Sequence, residues 1–152
     1  MKIEKHLDIT PEQFFEVVEK SVIRDMKKKK PVTEGLTYHK SIQTQMGGAA
    51  PVTITVTEYK PPSEGQESPY VYASTVDSNV NKTSISYHVT ESEDGKCDVV
   101  YEETYHYYKT MYRWNYQIMS IFFTHSRKKQ FIESLENIES TVKGNLPAKR
   151  NE

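Results

Sequence analysis

Apolar and polar positions alternate from Lys2 to Ile9. Ile3, Leu7 and Ile9 fall on one side, Lys2, Glu4, His6 and Asp8 on the other, and Lys5 is an amphipathic intruder on the apolar side. A period of two predicts a strand. The period then changes. Thr10 is a good N-cap, Pro11 suits the first helical position and Gln13 completes a capping box. Ile9 is placed to staple onto Phe14. Phe14, Val18, Val22 and Met26 follow at helical spacing, with Phe15 and Ile23 widening the stripe. The pattern fades in Lys27–Lys30 and must end before Pro31.

A run of strands follows. Leu36–Met46 and Val52–Lys60 flank Gly47-Gly48, a turn signal, and Val52, Ile54 and Val56 alternate with threonines. Strict alternation would carry Glu58 onto the same face as these valines and isoleucine. Pro61-Pro62 breaks the strand, a polar loop runs to Pro69, and Tyr70–Val76 and Thr83–Glu91 are further strands around a turn at Asp77–Asn81. The hairpin at Asp94-Gly95 permits a register argument. A two-residue loop would set Tyr87 against Glu102. A three-residue loop of Glu93, Asp94 and Gly95, with Gly95 left-handed, sets Val89 against Val99 and Tyr87 against Tyr101. The second gives one apolar face and leaves Ser86, His88, Glu102 and Thr104 outside.

Neither proline nor glycine interrupts the chain from Tyr112 to Lys143. Trp114, Ile118, Ile121 and Phe122, then Phe131, Leu135, Ile138 and Val142, recur at helical spacing. One long helix is expected, bent near Thr124–Ser126, with Gly144 as its cap and Pro147 as a stop. Strand, helix, about five antiparallel strands and a long helix make an α+β domain. Its sheet, of about six strands, should curl around the amphipathic C-terminal helix.

Composition narrows the function classes. A length of 152 residues suits one domain, and a net charge of −1 argues against a nucleic-acid binder working through a basic field. Cys97 is the sole cysteine, so neither an intramolecular disulfide nor a cysteine zinc site can form within this chain. The start of the chain lacks the apolar core of a signal peptide, and no run of apolar residues is long enough to span a membrane. A cytoplasmic setting is the expectation.

The strand leading into Thr10-Pro11-Glu12-Gln13-Phe14-Phe15, the strand through Val99-Val100-Tyr101-Glu102-Glu103 and the closing helix resemble the helix-grip (SRPBCC) superfamily. That superfamily includes START lipid-transfer domains and birch-pollen-allergen-like proteins. Within it, the chain resembles a bacterial (Firmicutes) family described as domain of unknown function 3284. The resemblance implies one helix-grip domain over residues 1–143, with a flexible tail over 144–152. It also implies a cavity between sheet and C-terminal helix, used in many relatives for an apolar or amphipathic small molecule. It brings no catalytic residues and no cofactor.

The most unusual chemical feature is aromatic. Six of the eleven tyrosines lie between Tyr101 and Tyr116, with Trp114 among them. Tyrosine has an apolar body and a polar tip, which suits a pocket for ring-bearing or amphipathic molecules and equally suits a large core. Tyr87, Tyr101, Glu103, Tyr105, Trp114, Ile118 and Phe122 are the expected lining. Glu58 and Glu103, both read as inward, would be the carboxylates for acid–base work or a cationic ligand, or else rim residues with Glu58 paired to Lys40. An enzyme using Glu103 with a nearby tyrosine is a further reading. A protein-interaction module is another, with Tyr59, Tyr70, Tyr72 and Tyr108 as an exposed patch and oligomers possible. His6, His39, His88, His106 and His125 lack metal-ligand spacing. The basic runs Lys27–Lys30 and Arg127–Lys129 read as solvated surface.

Overall fold

The computed structural model describes residues 1–43, 48–108, 128–129 and 131–144. The elements are β1 (Lys2–Leu7), α1 (Pro11–Met26), β2 (Thr37–Gln43), β3 (Ala49–Lys60), β4 (Tyr70–Asp77), β5 (Asn81–Glu91) and β6 (Cys97–Tyr107). A second helix, α2, occupies residues 131–143. The six strands form one curved antiparallel sheet in the order β1-β6-β5-β4-β3-β2. Its concave face takes both helices, the arrangement expected of a helix-grip fold.

This order explains α1. The strands on either side of it in sequence are the two edges of the sheet, so the intervening chain must cross all five inter-strand gaps. Sixteen helical residues span about 24 Å, and five gaps of about 4.8 Å give the same distance. The start is fixed by the capping box: the Thr10 hydroxyl accepts from Gln13 N–H, and Gln13 Oε1 accepts from Thr10 N–H at 2.9 Å. The helix stops earlier than the sequence suggests. Lys27 adopts a left-handed φ of 58° and its N–H donates to the Ile23 and Arg24 carbonyls, so Lys28–Lys30 lie outside. Phe14, Phe15, Val18, Val22 and Met26 are buried against the sheet.

The β5–β6 hairpin has the three-residue loop. Val89 faces Val99, Tyr87 faces Tyr101, and Gly95 has φ 78°. Ser92 N–H donates to the Lys96 carbonyl at 2.8 Å, closing the ladder on either side of Glu93–Gly95. β1 docks on the far side of β6, pairing Ile3 with Tyr101 and Leu7 with Cys97, and it ends at Leu7 rather than Ile9.

The β3–β4 ladder departs from simple alternation. The pairing shifts between Val56 and Glu58, so Thr57 is an extra residue in a bulge. A bulge inverts the facing of all that follows it. Glu58 therefore points outward and is exposed, and Tyr59 turns inward. Glu58 is not an inward carboxylate, and its expected partner Lys40 instead reaches Asp25 of α1 at 2.9 Å.

Candidate functional site

The inward turn of Tyr59 completes a row. Tyr59 (β3), Tyr72 (β4), Tyr87 (β5) and Tyr101 (β6) stand opposite one another on four adjacent strands. Their ring centroids are 6.3, 6.2 and 5.2 Å apart in that order, with tilted or edge-on geometry. Such pairs contribute about 0.5–1.5 kcal/mol each beyond the area they bury. The helices cap the row. Phe14 meets Tyr87 edge-on at 5.5 Å, Phe15 meets Tyr59 and Tyr70, and Phe131 of α2 stacks on Tyr101 at 3.8 Å. Burial holds the Tyr38, Tyr59, Tyr72 and Tyr87 phenols above their ordinary range. Tyr59 is raised further by its hydrogen bond to the Glu19 carboxylate.

The row divides the concave face into two unlike halves. On one side, Leu7, Val89, Cys97, Val99 and Leu135 are at most 1% exposed, a close-packed core between sheet and helices. Cys97 belongs here, and burial pushes its thiol up to about 12. On the other side the next two rows run Val56–Ser74–Ile85–Glu103 and Ile54–Val76–Thr83–Tyr105. At the β3 end Val56 and Ile54 are core residues at 0% and 7% exposure, and Ser74 and Glu103 are buried at 2% and 8%, yet Val76, Thr83, Ile85 and Tyr105, on β4 to β6, are only half-buried. Half-buried aliphatic, hydroxyl and aromatic groups around an inward carboxylate make an amphipathic lining.

Three of the expected lining residues thus share one surface: Tyr87 and Tyr101 form the dividing row, and Glu103 lies one row beyond. Tyr105 follows two positions along β6. Trp114, Ile118 and Phe122 fall outside the described residues, as does His125. The exposed tyrosine patch is not formed. Tyr72 is buried, Tyr59 and Tyr70 pack on Phe15, and of the four only Tyr108 is largely exposed, with its hydroxyl donating to Asp77. Alternation missed Tyr59 because of the bulge. It missed Ser74 and Tyr72 because β4 has apolar residues on both faces, Val71 and Ala73 as well as Tyr70, Tyr72 and Val76.

Other concavities are plainer. A groove of about 550 Å³ between α1 and the end of α2 is open and lined by Glu16, Lys20, Arg24 and Thr141 among others. A shallow trough of about 300 Å³ on the convex face runs over Thr75, Ser84 and Thr104. Among the described residues, no cluster of three or more His, Cys, Asp or Glu is placed to hold a metal ion. Nor is any described helix long and apolar enough to cross a membrane.

The packed end is clasped by charge. Asp8 pairs with Lys143 of α2, which holds the Asp8 carboxyl below its usual range, and Lys96 stands 3.8 Å away. Asp8 N–H donates to Glu139, and Lys5 reaches Glu136 at 3.4 Å. His6 Nδ1 lies 2.7 Å from Asp98, and that contact raises its pKa.

Comparison with known proteins agrees with this geometry. The family model described as domain of unknown function DUF3284 matches residues 1–124. No curated protein matches the sequence. A Staphylococcus aureus protein of unknown function is 15% identical, with a TM-score of 0.60 over 94% of each chain. The Thermus thermophilus protein TTHA0849 is 12% identical, with a TM-score of 0.61 over 96% of this chain and 98% of its own. The protein Ara h 8.0201 is 15% identical, with a TM-score of 0.56 over 95% and 97%. At these identities the likeness is one of fold.

Proposed function

Given that the chain belongs to the DUF3284 family, within the helix-grip superfamily, we propose that it is a cytoplasmic, non-enzymatic domain that binds a small amphipathic molecule. The molecule lies in the concave face beyond the tyrosine row. The observation that carries this reading is the contrast between the packed side of that face and the β4–β6 part of the other side, since the β2–β3 part of that side is core as well. One half reaches the near-complete burial expected of a protein interior. The other pairs half-buried Val76, Ile85 and Tyr105 with the buried polar groups Ser74 and Glu103. An apolar lining with a few inward polar groups is the usual make-up of a small-molecule site. Fold likeness alone would not argue for binding. Catalysis has less support, because the bulge turns Glu58 away from Glu103 and no second inward carboxylate stands beside it among the described residues.

Thermal-shift screening against lipids, aromatic metabolites and sugars tests the reading. A ligand at a hundred times its Kd stabilises by about 2.7 kcal/mol, or roughly 5–10 °C in Tm for a chain of this size. A Val76→Trp variant, which fills the lining, should lose the shift while keeping its fold. No shift with any class, or a shift that Val76→Trp retains, would contradict the site.

A further inference from the structure

We propose that the open edge of β2 is a docking site for an extended, acidic segment of a partner protein, which adds to the sheet as one more strand. β2 is the last strand of the sheet. Where it begins, Gly35 N–H donates to the Val56 carbonyl at 2.7 Å and Val56 N–H donates to the Leu36 carbonyl at 2.8 Å. Bonded and non-bonded pairs alternate along an antiparallel ladder. Counting from Leu36, Tyr38, Lys40 and Ile42 bond to β3, and Thr37, His39 and Ser41 turn their N–H and C=O groups to the open side. Pro51 agrees with this phase: it has no N–H to give, and it stands opposite Ser41, where the ladder needs none. Thr37, His39 and Ser41 are exposed, and among the described residues no strand pairs with them from that side. The opposite edge differs, because Lys5 on β1 and Asp8 just beyond it are tied to α2.

An open row of backbone donors and acceptors is a template for a further strand, and proteins commonly guard it with a lysine. Here Lys40 is folded onto Asp25 of α1 at 2.9 Å, and Ile42, on the same face, is 36% exposed. An apolar side chain on an incoming strand would cover Ile42. Charge selects the partner. Asp25 lies in the last turn of α1, so its grip on Lys40 brings the end of that helix to this edge, with the exposed Lys27–Lys30 directly after it. From Arg24 to Gln43 the chain carries six cations, Arg24, Lys27–Lys30 and Lys40, against two carboxylates, Asp25 and Glu34, in a chain whose net charge is −1. Asp77, two strands away, accepts from the Tyr108 hydroxyl. This surplus steers an acidic segment to the edge. It opposes β2 of a second copy, which would set two such runs together.

The probe is a fluorescent peptide of alternating valine and glutamate, matched in length to β2. Its controls are a valine–lysine peptide and a valine–glutamate peptide N-methylated along its backbone, which keeps the charge and cannot pair. By anisotropy at low ionic strength, the acidic peptide should bind the full chain at least about tenfold more tightly than either control. The combined variant Lys27→Ser, Lys28→Ser, Lys29→Ser and Lys30→Ser, its fold checked by circular dichroism, should bind it about tenfold more weakly than wild type. In NMR hydrogen exchange, the Thr37, His39 and Ser41 amides should exchange readily without peptide and slowly with it, whereas those of Tyr38 and Lys40 stay protected throughout. The proposal is overturned if the acidic peptide does not bind, if the N-methylated peptide binds equally well, or if the Thr37, His39 and Ser41 amides are already protected without peptide. Binding of a single-stranded oligonucleotide or an anionic vesicle in place of the peptide would also overturn it and make the edge a polyanion site. Undiminished binding by the serine variant would overturn the selection by charge.

Discussion

Replacing Tyr87 by leucine removes the centre of the aromatic row while keeping most of its apolar bulk. Tyr87 has four ring neighbours: Tyr101 at 5.2 Å, Phe14 at 5.5 Å, Phe131 at 6.1 Å and Tyr72 at 6.2 Å. At about 0.5–1.5 kcal/mol per pair, and with the sub-additivity expected of rings that share partners, the loss should be about 3 kcal/mol. For a chain of this size that lowers Tm by about 6–12 °C. Tyr87→Phe keeps every ring contact and gives up only the hydroxyl, so it should stay within about 1.5 kcal/mol of wild type. Urea and thermal denaturation followed by near- and far-ultraviolet circular dichroism would measure both. Two results would refute the reasoning. One is a Tyr87→Leu protein within about 0.5 kcal/mol of wild type, a change of the size usual at unremarkable surface sites. The other is a Tyr87→Phe protein as damaged as Tyr87→Leu, which would move the energy from the rings to the hydroxyl.

Three further outcomes are expected. Val89→Ala and Val76→Ala delete the same two methyl groups from one sheet face. The fully buried Val89 should cost about 2–3 kcal/mol and the half-buried Val76 less than half of that, so equal urea midpoints would remove the distinction between the two halves. His6 has its folded-state pKa raised above 6.5 by Asp98. Its contribution is present below that value and is lost as pH rises through the folded value. The stability gap between wild type and His6→Gln should therefore shrink between about pH 6 and pH 8, and a gap that widens would reverse the assignment. Cys97, buried and with its thiol pushed up to about 12, should be alkylated by iodoacetamide at mildly alkaline pH only as fast as the protein unfolds. Rapid modification of the native protein would place it elsewhere.

Much of the architecture was legible because it follows from short-range rules. Thr10, Pro11 and Gln13 mark the helix start by hydrogen-bonding chemistry alone. Gly95 selects a three-residue loop, and that loop sets the register of the longest hairpin. The inward side of β6, with Tyr101, Glu103 and Tyr105, follows from alternation counted away from that loop. The exposed tyrosine patch failed for an equally definite reason. A bulge costs one residue of phase, and the alternation from Thr53 to Thr57 is regular until Thr57 and Glu58 set two polar residues in succession before Tyr59. The hint was chemical: strict phase put Glu58 on an apolar face and Tyr59 in solvent, and the bulge reverses both. β4 was ambiguous because Val71 and Ala73 give its second face an apolar character too. The half-burial of Val76, Thr83, Ile85 and Tyr105 beside a packed core is a tertiary property. It depends on where Phe14, Phe15 and Phe131 land, which no local pattern encodes.

The central claim is that a ligand occupies the concave face beyond the tyrosine row. Methyl-resolved NMR of protein labelled at valine and isoleucine tests it most directly, with the compound that gives the largest thermal shift in the lipid, aromatic and sugar screen as the titrant. The account predicts shift changes and intermolecular contacts at the Val76 and Ile85 methyls, and none at Val89 and Val99 on the packed side of the same face. Perturbation confined to Val71 and Val100 on the convex face, or no saturable perturbation at all, would contradict it.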